Sequence, residues 1–133
     1  MQSDNQKKLM KKLLLTIAGA LLALPSMARD FTYEYEGQTL TYTVLDETSK
    51  TCQTKAGGRN YTYFAGNKSE GNLTIPSVAK DGDMEYTVTA VGNLGFYRND
   101  KLSSIIIPET IKNVGYSAFE SCSALKSLTI LFP

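Results

Sequence analysis

A block of apolar residues occurs twice in this chain, displaced by 23 positions. The first copy spans residues 91–107 and the second spans residues 114–130. The matched pairs are Val91 and Val114, Gly92 and Gly115, Phe96 and Phe119, Leu102 and Leu125, Ile105 and Leu128, and Ile107 and Ile130. Recurrence at a fixed period is typical of stacked repeats, in which one unit cannot bury its apolar face alone. The sequence therefore predicts a repeat fold and not an enzyme built around a catalytic pocket.

Residues 1–28 contain the three parts of a secretory signal peptide. Four lysines between Lys7 and Lys12 precede an apolar run from Leu13 to Leu24, and small residues lead up to Ala28. The run is shorter than the roughly 20 residues that a membrane-spanning helix needs. It also has no polar face, which disfavours a buried amphipathic helix. We expect cleavage after Ala28, so that Arg29 begins a secreted or cell-surface chain that has no membrane span.

The mature chain, residues 29–133, is expected to form one small domain. Removing four lysines and Asp4 from the 14 basic and 13 acidic residues leaves 10 and 12, a net charge near −2. No basic stripe is present, which disfavours a nucleic-acid partner.

Residues 29–72 are predicted to form a β-strand lead-in that caps the repeats. Phe31, Tyr33 and Tyr35 alternate with polar residues, and Gly37 then turns the chain into a second alternating segment. This period-2 pattern around a glycine predicts a β-hairpin. A short strand over residues 51–55, a loop over 56–60 and a strand over 61–64 should follow. Turn-rich residues 65–72 mark the boundary with the repeat region, residues 73–133.

Each repeat is expected to contribute one strand. The spacing Leu102-x-x-Ile105-x-Ile107 matches the strand pattern of leucine-rich repeats, with Ile105 and Ile107 facing inward. Pro108 should end the strand because it lacks an N–H for the next ladder bond. The Val-Gly pairs at 91–92 and 114–115 are expected to form a turn on the opposite flank. The first unit is stretched by nine residues, which is typical of a terminal cap.

One unit of the chain closely resembles the BspA-like type of leucine-rich repeat. The shared residues are Ile107, Pro108, Ile111, Val114, Gly115, Ala118, Phe119, Cys122 and Leu125. The preceding copy departs from the pattern, with Gly95 where alanine is usual and Asn99 in place of cysteine. The resemblance implies a β-rich leucine-rich repeat solenoid of about two 23-residue repeats, behind an N-terminal hairpin cap. It also implies a secreted or surface bacterial protein that adheres to macromolecules.

Outward-facing residues of the repeat strands form the candidate binding surface. Stacked strands should place Ser104 beside Ser127 and Ile106 beside Thr129 on the concave sheet. We expect an exposed isoleucine at position 106, which is unusual on a sheet face. The expected partner is a host or neighbouring-cell protein or glycan. The alternative is that these four residues form only the solvent face of a short sheet.

Catalytic and cofactor chemistry has little support in the sequence. The chain contains no histidine, which removes the usual general base and the commonest metal ligand. We therefore expect a non-enzymatic protein without metal or cofactor. The period-2 pattern is expected to place Glu34 and Glu36 on one strand face, where they could resemble the carboxylate pair of a glycosidase, but exposed acids on a surface hairpin are the ordinary explanation. The segment from Asp81 to Asp83 is interpreted as a solvated turn because no glutamate lies at calcium-loop spacing.

The two cysteines, Cys52 and Cys122, lie in different halves of the chain. Export makes a disulfide conceivable. Cys122, however, occupies the repeat position that Asn99 holds in the preceding copy, which is typical of a small buried or capping site. The sequence favours two inert thiols and leaves the pairing open.

The repeat pattern starts again shortly before Pro133, and no polar cap follows it in the sequence. Three interpretations stay open: a truncated chain, end-to-end self-association with another copy, and a short solenoid that tolerates an open end. Two functions follow. The first is a surface-exposed binding or adhesion module, and the second is a structural N-terminal fragment of a longer adhesin without independent binding.

Overall fold

The computed structural model describes residues 29–132, which contain eleven β-strands and no helix. The predicted signal peptide, its cleavage after Ala28, and Pro133 lie outside the described residues. The strands are β1 (Asp30–Tyr35), β2 (Gln38–Asp46), β3 (Thr51–Thr54), β4 (Gly58–Asn60), β5 (Thr62–Phe64), β6 (Gly71–Thr74), β7 (Val78–Asp81), β8 (Met84–Val91), β9 (Leu102–Ile107), β10 (Asn113–Val114) and β11 (Ser127–Ile130).

These strands form three sheets. The largest has the order β1-β2-β3-β8-β10, with β7 also paired to β8. Its β3–β8 and β8–β10 pairs are parallel, so the lead-in strands and the repeat strands share one sheet. The second sheet is parallel and has the order β11-β9-β6. The third is the antiparallel hairpin β4–β5.

The predicted hairpin over β1 and β2 is confirmed, with Tyr35 opposite Gln38. Glu36 and Gly37 form its two-residue turn, and both have positive φ angles, 50° and 78°. This pattern matches the right-handed twist of the flanking strands. Glu36 therefore lies in the turn, and the expectation that it alternates with Glu34 along one strand face is wrong.

The 23-residue displacement is confirmed as the register of the β9–β11 pair. Ser104 lies opposite Ser127, and Ile105 lies opposite Leu128. Ile105 is completely buried, and β9 ends at Ile107, immediately before Pro108 as expected. The pattern of inward and outward residues was therefore predicted correctly because strand side chains alternate with period 2.

Two sequence expectations about turns and loops are wrong. Val91 ends β8 and Val114 ends β10, and these two valines face each other in a parallel pair, where a turn was expected. The β-branched side chains suit a strand, and Gly115 N donates to Val91 O over 2.8 Å. Residues 58–60, expected as loop, form β4, because β5 lies alongside and satisfies their backbone groups.

The core contains apolar residues of both larger sheets and a pair of stacked phenylalanine rings. Phe96 is completely buried and stacks on Phe119 at a centroid separation of 5.7 Å and an interplanar angle of 10°. These residues are 23 positions apart, so the stack repeats the displacement of the strands. Phe119 itself is half-buried because it lies in the outermost layer of the described residues.

Candidate binding surface

The outward face of the β6–β9–β11 sheet carries two ladders of side chains. Ser104 lies between Asn72 and Ser127, and Ile106 lies between Thr74 and Thr129. The structure therefore brings the four predicted residues together in two in-register pairs. Asn72 and Thr74 extend the face and were not predicted. The sequence does contain a signal for them: Ile75 and Ile107 are 32 residues apart, and the same displacement relates Asn72 to Ser104 and Thr74 to Ile106.

Hydrogen bonds hold one edge of this face in place. Ser104 Oγ donates to Asn72 Oδ1 over 2.7 Å, and Gln38 Nε2 donates to Asn72 O over 2.7 Å. Gln38 belongs to the lead-in strand β2. The lead-in therefore positions the first rung of the ladder.

Exposure varies across the face. Ser127 and Thr129 are exposed, whereas Ser104 and Ile106 are half-buried. The expectation of an exposed isoleucine at position 106 is thus wrong, because the side chain of Ile106 is half-buried. A strand on each side covers part of its side chain, since directly opposite residues in neighbouring strands lie in contact.

A polar cleft adjoins the lead-in hairpin. Its volume is about 690 Å³, and its lining residues are Gly37, Gln38, Thr39, Lys68, Ser69, Glu70, Asn99, Asp100 and Lys101. Gln38 belongs to this lining and also contacts Asn72, so the cleft and the sheet face meet at this residue. The lining offers two lysines and two carboxylates but no aromatic ring.

Neither cysteine takes part in a disulfide. Cys52 is completely buried in β3, and desolvation raises the pKa of its thiol to about 12. Cys122 is half-buried, and its Sγ lies 3.1 Å from Phe96 O, to which the thiol can donate a weak hydrogen bond. Burial also raises the pKa of Cys122. A raised pKa disfavours the reactive thiolate at both positions.

Arg29, the predicted first residue of the mature chain, ties β1 to the neighbouring strands. Its guanidinium forms an ion pair with Asp81 and donates to Glu47 over 3.1 Å and to Tyr86 Oη over 2.7 Å. Asp81 therefore has a structural partner. In the turn that follows it, Gly82 adopts a positive φ of 59°.

The described part of the chain contains no group of three or more His, Cys, Asp or Glu residues that could hold a metal ion. Among residues 29–132, no helix has the length and apolar content needed to cross a membrane.

Comparison with known proteins identifies the repeat. The family profile described as a BspA type leucine rich repeat region matches residues 63–131, about half of the chain. A search of curated proteins gave no significant match.

Solved structures of leucine-rich repeat proteins are similar to this fold. One from Bacteroides capillosus ATCC 29799 is 19% identical with a TM-score of 0.56, covering 74% of this chain and 64% of that one. Another, from Bacteroides ovatus ATCC 8483, is 29% identical with a TM-score of 0.53, covering 72% of this chain and 23% of that one. The chain thus spans less than two thirds of either structure. With the repeat motif, the profile match and the strand pairing in agreement, the chain belongs to the BspA-type leucine-rich repeat family.

Proposed function

We propose that this protein is an exported, surface-exposed adhesion module that binds a host or neighbouring-cell protein or glycan and catalyses no reaction. Membership of a leucine-rich repeat family supports the interaction role. The signal-peptide pattern of residues 1–28 supports export. In this proposal the architecture is a short solenoid of about two 23-residue repeats, residues 73–133, behind the lead-in of residues 29–72.

The binding surface in this proposal is the outward face of the β6–β9–β11 sheet, with Ser104, Ile106, Ser127 and Thr129 at its centre. The observation that carries it is the parallel, in-register pairing of these strands. Residues on a paired sheet are already ordered before a ligand arrives. Binding therefore loses little conformational entropy, which favours affinity.

The face is also chemically suited to a polar partner with small apolar groups. Asn72, Ser104, Ser127 and Thr129 offer hydrogen-bond donors and acceptors, while the half-buried Ile106 supplies apolar contact near the middle. This arrangement resembles the anatomy of interfaces, which combine an apolar centre with a polar rim.

The test is retention of the purified mature chain on arrays of extracellular-matrix proteins and of glycans. We expect retention by the unchanged chain and its loss when Ser127→Arg and Thr129→Arg are combined, because two long charged side chains obstruct the face. The matched control combines Ser123→Arg and Thr48→Arg, at exposed positions outside the sheet. Failure of a folded chain to bind either array contradicts the proposal and favours the alternative of a structural fragment.

A further inference from the structure

Two tyrosines and two arginines form a cluster outside the strands of the β6–β9–β11 sheet. Arg59 and Tyr63 lie on the β4–β5 hairpin, and Tyr97 and Arg98 lie in the turn after β8. The rings of Tyr63 and Tyr97 meet edge to face with centroids 5.9 Å apart. The two guanidinium groups lie 5.2 Å and 5.1 Å from the Tyr63 and Tyr97 ring centroids, respectively. We call these four residues the arginine–tyrosine cluster.

Neither arginine of the cluster forms an ion pair within the described residues. The ion pairs of residues 29–132 involve Arg29, Lys50, Lys55 and Lys80. Arg59 and Arg98 are exposed and are held instead by cation–π contacts. A guanidinium stacked on a ring keeps the N–H groups at its edge free, and these form a rigid fork that matches a carboxylate.

The surroundings of the cluster are apolar and unusually exposed. Tyr63 and Phe64 are 45% and 51% exposed, and Tyr61 at the hairpin tip is fully exposed. Tyr61 also has a φ of 65°, a conformation that costs a non-glycine residue free energy. Tyr97 by contrast is only 7% exposed and supports Tyr63 from below. Tyrosine and arginine are enriched among the few residues that supply most of the binding energy at protein interfaces.

We propose that the arginine–tyrosine cluster is a second interaction surface, which binds an acidic peptide segment of a partner protein. Each fork would accept one Asp or Glu carboxylate of the segment, and the exposed rings would contact the apolar side chains between them. The two guanidinium groups match the charge of two carboxylates, whereas a sulfated glycan carries a denser negative charge than two arginines can neutralise. One face of each ring is already covered by a guanidinium, which also disfavours sugar stacking.

This inference stands apart from the proposed function because the cluster shares no strand with the β6–β9–β11 sheet. The experiment measures binding of a fluorescent peptide that alternates Glu and Leu, together with its Gln-for-Glu counterpart and heparin, to the full mature chain. We expect the Glu peptide to bind more tightly than the Gln peptide and to weaken as salt is added. Arg59→Gln and Arg98→Gln should each weaken binding about tenfold.

Two further variants separate fork geometry from net charge. Arg59→Lys combined with Arg98→Lys keeps the charge but loses the fork, and it should also weaken binding. Lys80→Gln combined with Lys112→Gln removes the same charge from exposed positions elsewhere and should leave binding unchanged.

Three results would overturn the inference: equal binding of the Glu and Gln peptides, equal loss in the Lys80 and Lys112 control, or heparin binding at these arginines without peptide binding. The Ser127 and Thr129 variant should retain the Glu peptide, so failure here and failure of the sheet proposal are distinguishable.

Discussion

The side chain of Asn99 donates a hydrogen bond from Nδ2 to the main-chain oxygen of Asn67 over 2.9 Å. Asn67 repeats the arrangement one layer earlier: its Nδ2 donates to Thr41 O over 3.0 Å, and its Oδ1 accepts from Thr41 N over 2.8 Å. Both asparagines are buried. These side chains thus connect the lead-in strand β2 to two later turns of the chain through buried or part-buried hydrogen bonds.

Asn99→Ala should destabilise the protein by about 2–3 kcal/mol, because it leaves the buried main-chain oxygen of Asn67 and the part-buried N–H of Ser69 without partners. Asn99→Cys should cost less, since Cys122 occupies the equivalent position and its thiol lies against Phe96 O. Urea unfolding measures both. Asn113→Ala, at an exposed position, is the control. A loss no larger than that of the control would show that the asparagine bonds contribute nothing.

The two thiols should react with an alkylating reagent at different rates. Cys122 is half-buried and should react slowly in the folded protein, whereas Cys52 should react only when the chain unfolds. Its complete burial and pKa of about 12 leave little accessible thiolate at neutral pH. Mass spectrometry of Cys52→Ala and Cys122→Ala variants assigns each rate. Two thiols that resist alkylation in denaturant until reductant is added would instead indicate a disulfide.

Tyr86→Phe should destabilise the protein more at neutral pH than in acid. The Tyr86 hydroxyl donates to Glu47 over 2.8 Å, and this bond, followed by that of Arg29, lowers the pKa of Glu47. A depressed carboxyl pKa stabilises the fold above the unfolded pKa, and this contribution is lost as pH falls through the folded pKa.

Urea unfolding at pH about 7 and pH about 3 measures this difference. We expect no more than about 1 kcal/mol, because Glu47 is partly exposed and the interaction is screened. Tyr61→Phe is the matched control, since its side chain is fully exposed. A Tyr86→Phe effect that does not change with pH would contradict the assignment.

The apolar face beside β11 should cause end-to-end self-association. Leu128 and Ile130 are 43% and 51% exposed although they align with core residues of β9, and within residues 29–132 β11 pairs only with β9. Exposed apolar residues on a strand with a free edge promote pairing with another chain. Sedimentation should therefore show concentration-dependent association that Leu128→Lys combined with Ile130→Lys abolishes.

The control for self-association combines Ser127→Lys and Thr129→Lys, on the opposite face of the same strand. It adds the same charge and should leave association through Leu128 and Ile130 unchanged. Monomeric behaviour of the unchanged chain across the concentration range would show that the exposed face does not self-associate.

The candidate surface could be predicted where the repeat is regular and not where it is stretched. Ser104 and Ser127 were paired correctly because a constant displacement carries the register from one strand to the next. Asn72 and Gln38 were missed, since the stretched first unit breaks that displacement and Gln38 arrives from the hairpin. The arginine–tyrosine cluster could not be predicted, because residues 58–60 are expected to form a loop and instead form β4, which pairs with β5 in the hairpin that carries Arg59.

The sequence by itself determined the family, the register of β9 and β11, the hairpin β1–β2 and which side of each repeat strand faces inward. Periodicity encodes these features because each depends on neighbouring residues or on a fixed repeat. Only the tertiary structure decided that β3 pairs with β8, that Arg29 bridges Asp81 and Glu47, and that Asn67 and Asn99 link successive layers. Those contacts join segments far apart in the chain, where the geometry of packing and not the local pattern selects the partner.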